Sequence, residues 1–174
     1  QVETWLRAQL NRGVTPVLLG YPLRKSQEAM KQLALRGFHL VAHPSIFEVA
    51  ELYAELGVPI ENLRRYDGRV EPGEVLFFPP HLARGGALAP HWPRATGVLT
   101  GWAMDPGGAR RYGADVAFPL SDHADFPSLL RYVKDTGARD VITCHGFAEE
   151  LAQALRDAGT DARPLGKPQQ MTLF

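Results

Sequence analysis

Thr15-Pro16-Val17-Leu18-Leu19-Gly20 decides the fold class. It is short, apolar at successive positions and closed by glycine. A strand buried on both faces of a parallel sheet reads this way, whereas a half-exposed strand alternates. Downstream, residues 24–36 read as a helix stopped by Gly37, and Phe38-His39-Leu40-Val41-Ala42 as a second strand. Ser45-Ile46-Phe47-Glu48 has capping-box spacing, which predicts a helix starting there and running to about Glu55. Upstream, residues 2–12 place Val2, Trp5, Leu6 and Leu10 on one helical side before Gly13. Helices alternating with strands at this spacing predict an α/β fold, a parallel-rich sheet with flanking helices.

The pattern continues less regularly. Residues 57–74 read as loop and turns, 75–78 as a strand ended by Pro79-Pro80, 81–94 as irregular and 96–102 as a strand. Val116–Leu120 is a short strand leading to Ser121-Asp122-His123-Ala124-Asp125. Asp125 is placed to cap a helix with Pro127 in its first turn, reaching about Thr136. Asp140–Cys144 reads as a strand and 148–158 as a helix, followed by Asp161–Pro164 and a polar tail from Gly166.

The 174 residues, 45% hydrophobic and 22% charged, suffice for one domain, or one and a piece of another. No apolar run approaches the ~20 residues of a membrane helix, and the first residues do not resemble a signal peptide. A single cysteine, Cys144, cannot form an internal disulfide, which fits a cytoplasmic protein. The zero net charge argues against a histone-like polyanion binder but hides blocks. Residues 1–36 carry +4, 37–75 carry −4, 76–113 carry +3 and 114–174 carry −3. Fifteen of the 19 basic residues are arginine, the side chain suited to bidentate phosphate contact. The first and third blocks can form a basic face; a GC-rich genome would produce the same arginine enrichment.

Several patterns suit chemistry. His123 lies between Asp122 and Asp125 at a strand-to-helix turn, a position for acid or base work because imidazole exchanges protons near neutral pH. The alternative is that a carboxylate caps the helix and His123 is a solvated loop residue. Thr143-Cys144-His145-Gly146 ends a strand with a histidine suited to metal ligation and a glycine that permits close approach. Strand alternation points Cys144 the other way, into the core. His39 and His43 have i, i+4 spacing, but in a strand that separates the rings by roughly 13 Å, too far for one metal. His81 and His91 lie in loops without partners nearby in sequence. Arg24, Lys25 and Ser26 sit at a strand-to-helix junction, where free N–H groups favour a phosphate, although the same residues also suit an ordinary helix start. No phosphate-loop fingerprint, G-x-S-x-G or C-x-x-C occurs.

Phe118–Asp125 and Thr143–Phe147 together resemble the metallo-β-lactamase nucleases that carry a β-CASP domain, most nearly the bacterial ligase-associated DNA exonucleases. Thr15–Gln27 resembles the first strand and helix of the β-CASP insert, with Arg24 where that family usually has glycine. Thr100-Gly101-Trp102 resembles a Ser-Gly-Trp element of the same subgroup. The resemblance implies that residues 1–113 are a β-CASP domain, 114–165 the returning segment of a metallo-β-lactamase αββα core, and 166–174 a tail. It implies that His123, with Asp122 beside it, contacts the scissile phosphate and protonates the leaving oxygen. His145 would be a zinc ligand in a centre of two Zn2+ ions, with Mn2+ as a substitute. The family's His-x-His-x-Asp-His set does not occur here, so the chain reads as the C-terminal part of a longer nuclease, inactive alone. DNA is the favoured substrate. The competing expectations are an RNA-processing β-CASP ribonuclease, a non-catalytic nucleic-acid-binding or partner-recruiting module, and a sugar- or nucleotide-binding α/β protein.

Gln170-Met171-Thr172-Leu173-Phe174 resembles the bacterial sliding-clamp-binding motif. Leu173 and Phe174 would fill an apolar pocket, Met171 a neighbouring groove, and Gln170 would bond to the rim. A closing strand of the domain itself is the alternative. The expected partners are thus DNA, a sliding clamp and DNA ligase, with no membrane.

Overall fold

A computed structural model describes residues 1–88, 92–121 and 123–166. The chain divides into two compact units, Gln1–Asp122 and His123–Phe174.

The first unit is built on a six-stranded sheet in which every pairing is parallel. Its elements run α1 (Val2–Asn11), β1 (Thr15–Leu19), α2 (Lys25–Ala34), β2 (His39–Ala42), α3 (Pro44–Glu55), β3 (Leu63–Arg65) and β4 (Glu74–Phe78). There follow α4 (Pro80–Arg84), β5 (Arg94–Thr100), a 3-10 turn at Gly101–Met104, α5 (Gly108–Tyr112) and β6 (Val116–Pro119). The strand order is β3-β2-β4-β1-β5-β6, so the expected α/β architecture is present. Strand β6 belongs to this sheet, pairing Val98 with Ala117, although the sequence grouped it with the following segment.

Both faces of the sheet are covered. Leu18, Leu40, Ala42, Phe77, Leu99 and Phe118 pack with Leu6, Met30, Leu33 and Ile46 of the first three helices. On the opposite face Val17, Leu19, Val41, Leu76, Phe78 and Val98 pack with Leu88 and, at the margin, Tyr66, Leu82, Trp92 and Tyr112. Neighbouring residues of one strand thus enter different cores, which is why the strands read as unbroken apolar runs.

The helix starts show local chemistry at work. Helix α3 begins one residue before the expected Ser45: Pro44 takes the first position, and the His43 ring accepts from the Ser45 N–H at 3.2 Å. Glu48 does not close a capping box; it reaches Arg65 on β3 at 3.2 Å.

In the second unit, α6 (Phe126–Thr136), β7 (Asp140–Thr143), α7 (Ala148–Asp157) and β8 (Asp161–Pro164) follow in order. Asp125 caps α6 as expected, its carboxylate accepting from Ser128 N–H at 2.8 Å, and this bond holds the carboxyl below its ordinary range. β7 and β8 form a two-stranded parallel sheet. Ala152, Leu155 and Ala162 make its small core, joined by Leu130, Val133 and Val141. The other face carries Ile142, which is 51% exposed, and an ion pair of Asp140 with Arg163 at 2.6 Å. Among the described residues no helix is long and apolar enough to cross a membrane.

Candidate functional site

All six strands of the first sheet point the same way, so their carboxyl ends share one edge. Ligands of open parallel sheets collect at that edge, where neighbouring strands send their connections in opposite directions. Here the chain leaves β1 toward β2 on one side, and leaves β5 toward β6 on the other. The switch point therefore lies between the ends of β1 and β5, at Gly20-Tyr21 and Gly101-Trp102.

The turn after β1 is tight. A Cβ on Gly20 would stand 2.5 Å from the Ser26 hydroxyl, so only glycine fits. Ser26 is buried, and its hydroxyl donates to the Tyr21 carbonyl at 2.6 Å. Of the three residues read as phosphate contacts, Ser26 is thus engaged inside the turn, Lys25 is half-buried and Arg24 is exposed. Arg24 is also strained, with φ 74° and ψ −83°, a conformation that costs an L-residue about 1–3 kcal/mol. This is the position where the resembled family carries glycine. Arg24→Gly should raise the melting temperature by about 2–4 °C in a circular-dichroism melt, from about 1 kcal/mol of released strain. Arg24→Ala, which loses the same charge but keeps Cβ, should give no such gain.

Gln27, 2% exposed, ties this turn to α3: its Nε2 donates to the carbonyls of Pro22 at 2.7 Å and Ile46 at 3.3 Å. Its buried Oε1 has no partner. The side chain borders an open depression of about 440 Å3 that is also lined by Arg24, Lys31, Tyr53 and Ile60.

At the switch point several side chains meet that the sequence did not bring together. The Tyr21 hydroxyl is pushed above its ordinary range by burial and by hydrogen bonding to Tyr112, with Arg84 opposing. Thr100 Oγ1 donates to the Tyr112 hydroxyl at 3.5 Å. The Arg84 guanidinium lies 5.8 Å from the centre of the Tyr112 ring, and that of Arg111 lies 5.1 Å from the centre of the Trp102 ring. Asp105 fixes Arg111 at 2.7 Å. The visible sequence signal was Arg110-Arg111-Tyr112, one turn of helix too short to stand out from a loop.

Further along the edge, His43 packs edge-on against Phe78 with ring centres 4.9 Å apart. Burial, and then the neighbouring His81, lower its proton affinity. His39 lies at the other end of β2, consistent with the rejected i, i+4 metal pair.

His123 and His145 both belong to the second unit and both are exposed. His145 follows β7 with φ 64°, and Gly146 follows with φ 49°, so the chain leaves the strand through two successive left-handed residues. Few non-glycine residues adopt this conformation, histidine more readily than most. Cys144 is exposed, not in the core as expected. The strand ends at Thr143, which is buried and donates to the Ala148 carbonyl at 2.7 Å, so alternation does not extend to Cys144. Among the described residues no three His, Cys, Asp or Glu side chains converge, so these residues do not make up a metal centre. Asp122, His91 and the tail residues Gln170, Met171, Leu173 and Phe174 lie outside the described residues.

No family model matches the chain, and no solved structure matches it. It is 41% identical over 159 residues to a protein of Opitutus terrae named "Probable DNA ligase". The match takes in 91% of this chain but 16% of that protein. The chain is therefore similar to one part of a much longer polypeptide.

Proposed function

We propose that this chain is the C-terminal part of a metal-dependent phosphodiesterase, an exonuclease that processes DNA ends for ligation in the cytoplasm. The left-handed turn at His145-Gly146 carries the reading. A non-glycine residue kept in that conformation at a strand's carboxyl end is the kind of local cost found at working sites. It suits a histidine held outward as a ligand. His123, just past the end of β6, would contact the scissile phosphate beside Asp122 and give a proton to the leaving oxygen.

The likeness to part of a probable DNA ligase supports a DNA substrate and a physical link between nuclease and ligase. The bare face of the β7–β8 pair supports the view that other strands complete this layer, because parallel pairs are normally covered on both faces. His145 would be one ligand of a centre for two zinc ions, or manganese, whose remaining ligands lie elsewhere in the longer polypeptide. Such a centre supplies an activated water. The tail would hold the enzyme to a sliding clamp.

The full-length polypeptide should hydrolyse end-labelled DNA, lose that activity to a chelator, and bind markedly less zinc by elemental analysis when His145→Ala is introduced. The 174-residue chain alone should do neither. Stoichiometric zinc with hydrolysis in that chain would overturn the division of the site. A full-length polypeptide that binds DNA without hydrolysing it would instead establish a non-catalytic module.

A further inference from the structure

Three aromatic side chains and two arginines converge at the switch point between β1 and β5. Trp102 is 56% exposed and Tyr21 50% exposed, large values for side chains of this size beside a packed core. Neither is mobile in the ordinary sense of a surface aromatic. Tyr21 is tied through its hydroxyl to Tyr112, and Tyr112 to Thr100 at the end of β5. The backbone N–H of Trp102 is held by Thr100 Oγ1 at 3.2 Å. Gly108 packs so closely beneath the Trp102 carbonyl that a Cβ there would stand 2.3 Å from the oxygen. The rings are therefore presented on a fixed base. Arg84 and Arg111 lie against Tyr112 and Trp102, and the surrounding block of residues 76–113 carries net charge +3.

We infer that Tyr21, Trp102 and Tyr112 with Arg84 and Arg111 form a ledge that binds an unpaired nucleic acid strand, bases stacking on the exposed rings and phosphates meeting the arginines. Fixed aromatic faces recognise bases whose π-surfaces are accessible, which a duplex hides within its stack. Arginine adds charge and can itself stack. A purely phosphate-binding surface would need no exposed rings, and a protein-docking patch would be depleted in charge at its centre. This deepens the proposed function: a DNA-end enzyme would hold the single strand at this edge.

The test is direct binding, independent of hydrolysis. Fluorescence anisotropy of the 174-residue chain with labelled dT12, U12 and a 12-base-pair DNA duplex should show dT12 bound at least tenfold more tightly than duplex. Trp emission should be quenched by dT12, and the quench should shrink in Trp102→Ala. Trp102→Ala and Tyr21→Ala should each weaken dT12 by about 5- to 100-fold without changing the salt slope. Arg84→Gln or Arg111→Gln should lower the slope of log K against log salt by about 1. Circular-dichroism melts establish that each variant folds, and Trp102→Phe, which keeps an aromatic face, should retain most binding. Equal affinity for dT12 and duplex, or native binding by a folded Trp102→Ala, would overturn the ledge while leaving a DNA nuclease standing. Conversely, the ledge survives if dT12 binds as expected and the full-length polypeptide shows no nuclease activity. Tighter U12 than dT12 would keep the ledge and make its ligand RNA.

Discussion

His123→Ala in the full-length polypeptide should lower phosphodiester hydrolysis by about 100- to 10,000-fold, the usual contribution of a general acid or base. The loss should fall on kcat more than on KM, because the proposed proton reaches the leaving oxygen as its bond breaks. Two further readouts separate proton donation from mere structure. A general acid works only while protonated, so the high-pH decline of the native rate profile should disappear in the variant. A substrate with a p-nitrophenolate leaving group needs no proton, so its hydrolysis should be largely spared. His39→Ala, an exposed residue at the far end of β2, should behave as the native protein. An unchanged rate in His123→Ala would remove His123 from the mechanism, and an equal loss on both substrates would make its role structural.

Phe77→Ala should destabilise the first unit by about 3–5 kcal/mol, a large share of the 5–15 kcal/mol typical of a whole domain. Phe77 is fully buried at the centre of the sheet, with Leu18 on one neighbouring strand and Ala42 on the other in register with it. Removing the ring leaves a cavity that the rigid parallel sheet cannot close, so the transfer and cavity costs add. Urea unfolding followed by tryptophan emission measures this unit selectively, since Trp5, Trp92 and Trp102 all lie in it. Leu52→Ala, at a side chain 55% exposed on α3, should change stability by less than about 0.5 kcal/mol. Similar midpoints for the two variants would mean that Phe77 does not sit in the cooperative core.

What the amino-acid sequence determined by itself is the class of the sheet and most of its helices. Consecutive apolar residues such as Val17-Leu18-Leu19 and Leu76-Phe77-Phe78 demand burial on two faces, and only a covered parallel sheet supplies it. Asp125 before Phe126-Pro127 was legible because a cap is a local hydrogen bond, complete within four residues. Elements whose stability comes from neighbours were not legible. Leu63-Arg64-Arg65 becomes a strand because it pairs with Leu40–Ala42 and because Glu74 holds Arg64 at 2.6 Å, contacts that no local pattern encodes. Asp161–Pro164 likewise becomes β8 only against β7.

The site divides in the same way. The sequence alone singled out His123 and His145, whose residue type at a strand end carries chemical meaning without any partner. Tertiary structure decided that Ser26 closes a turn and that Cys144 faces outward once its strand has ended. It also brought Tyr21, Trp102 and Tyr112 to the same edge from positions far apart in the chain. The order β4-β1-β5 places the first strand between two later ones, and that order follows from the packing of both cores together rather than from any single stretch of sequence.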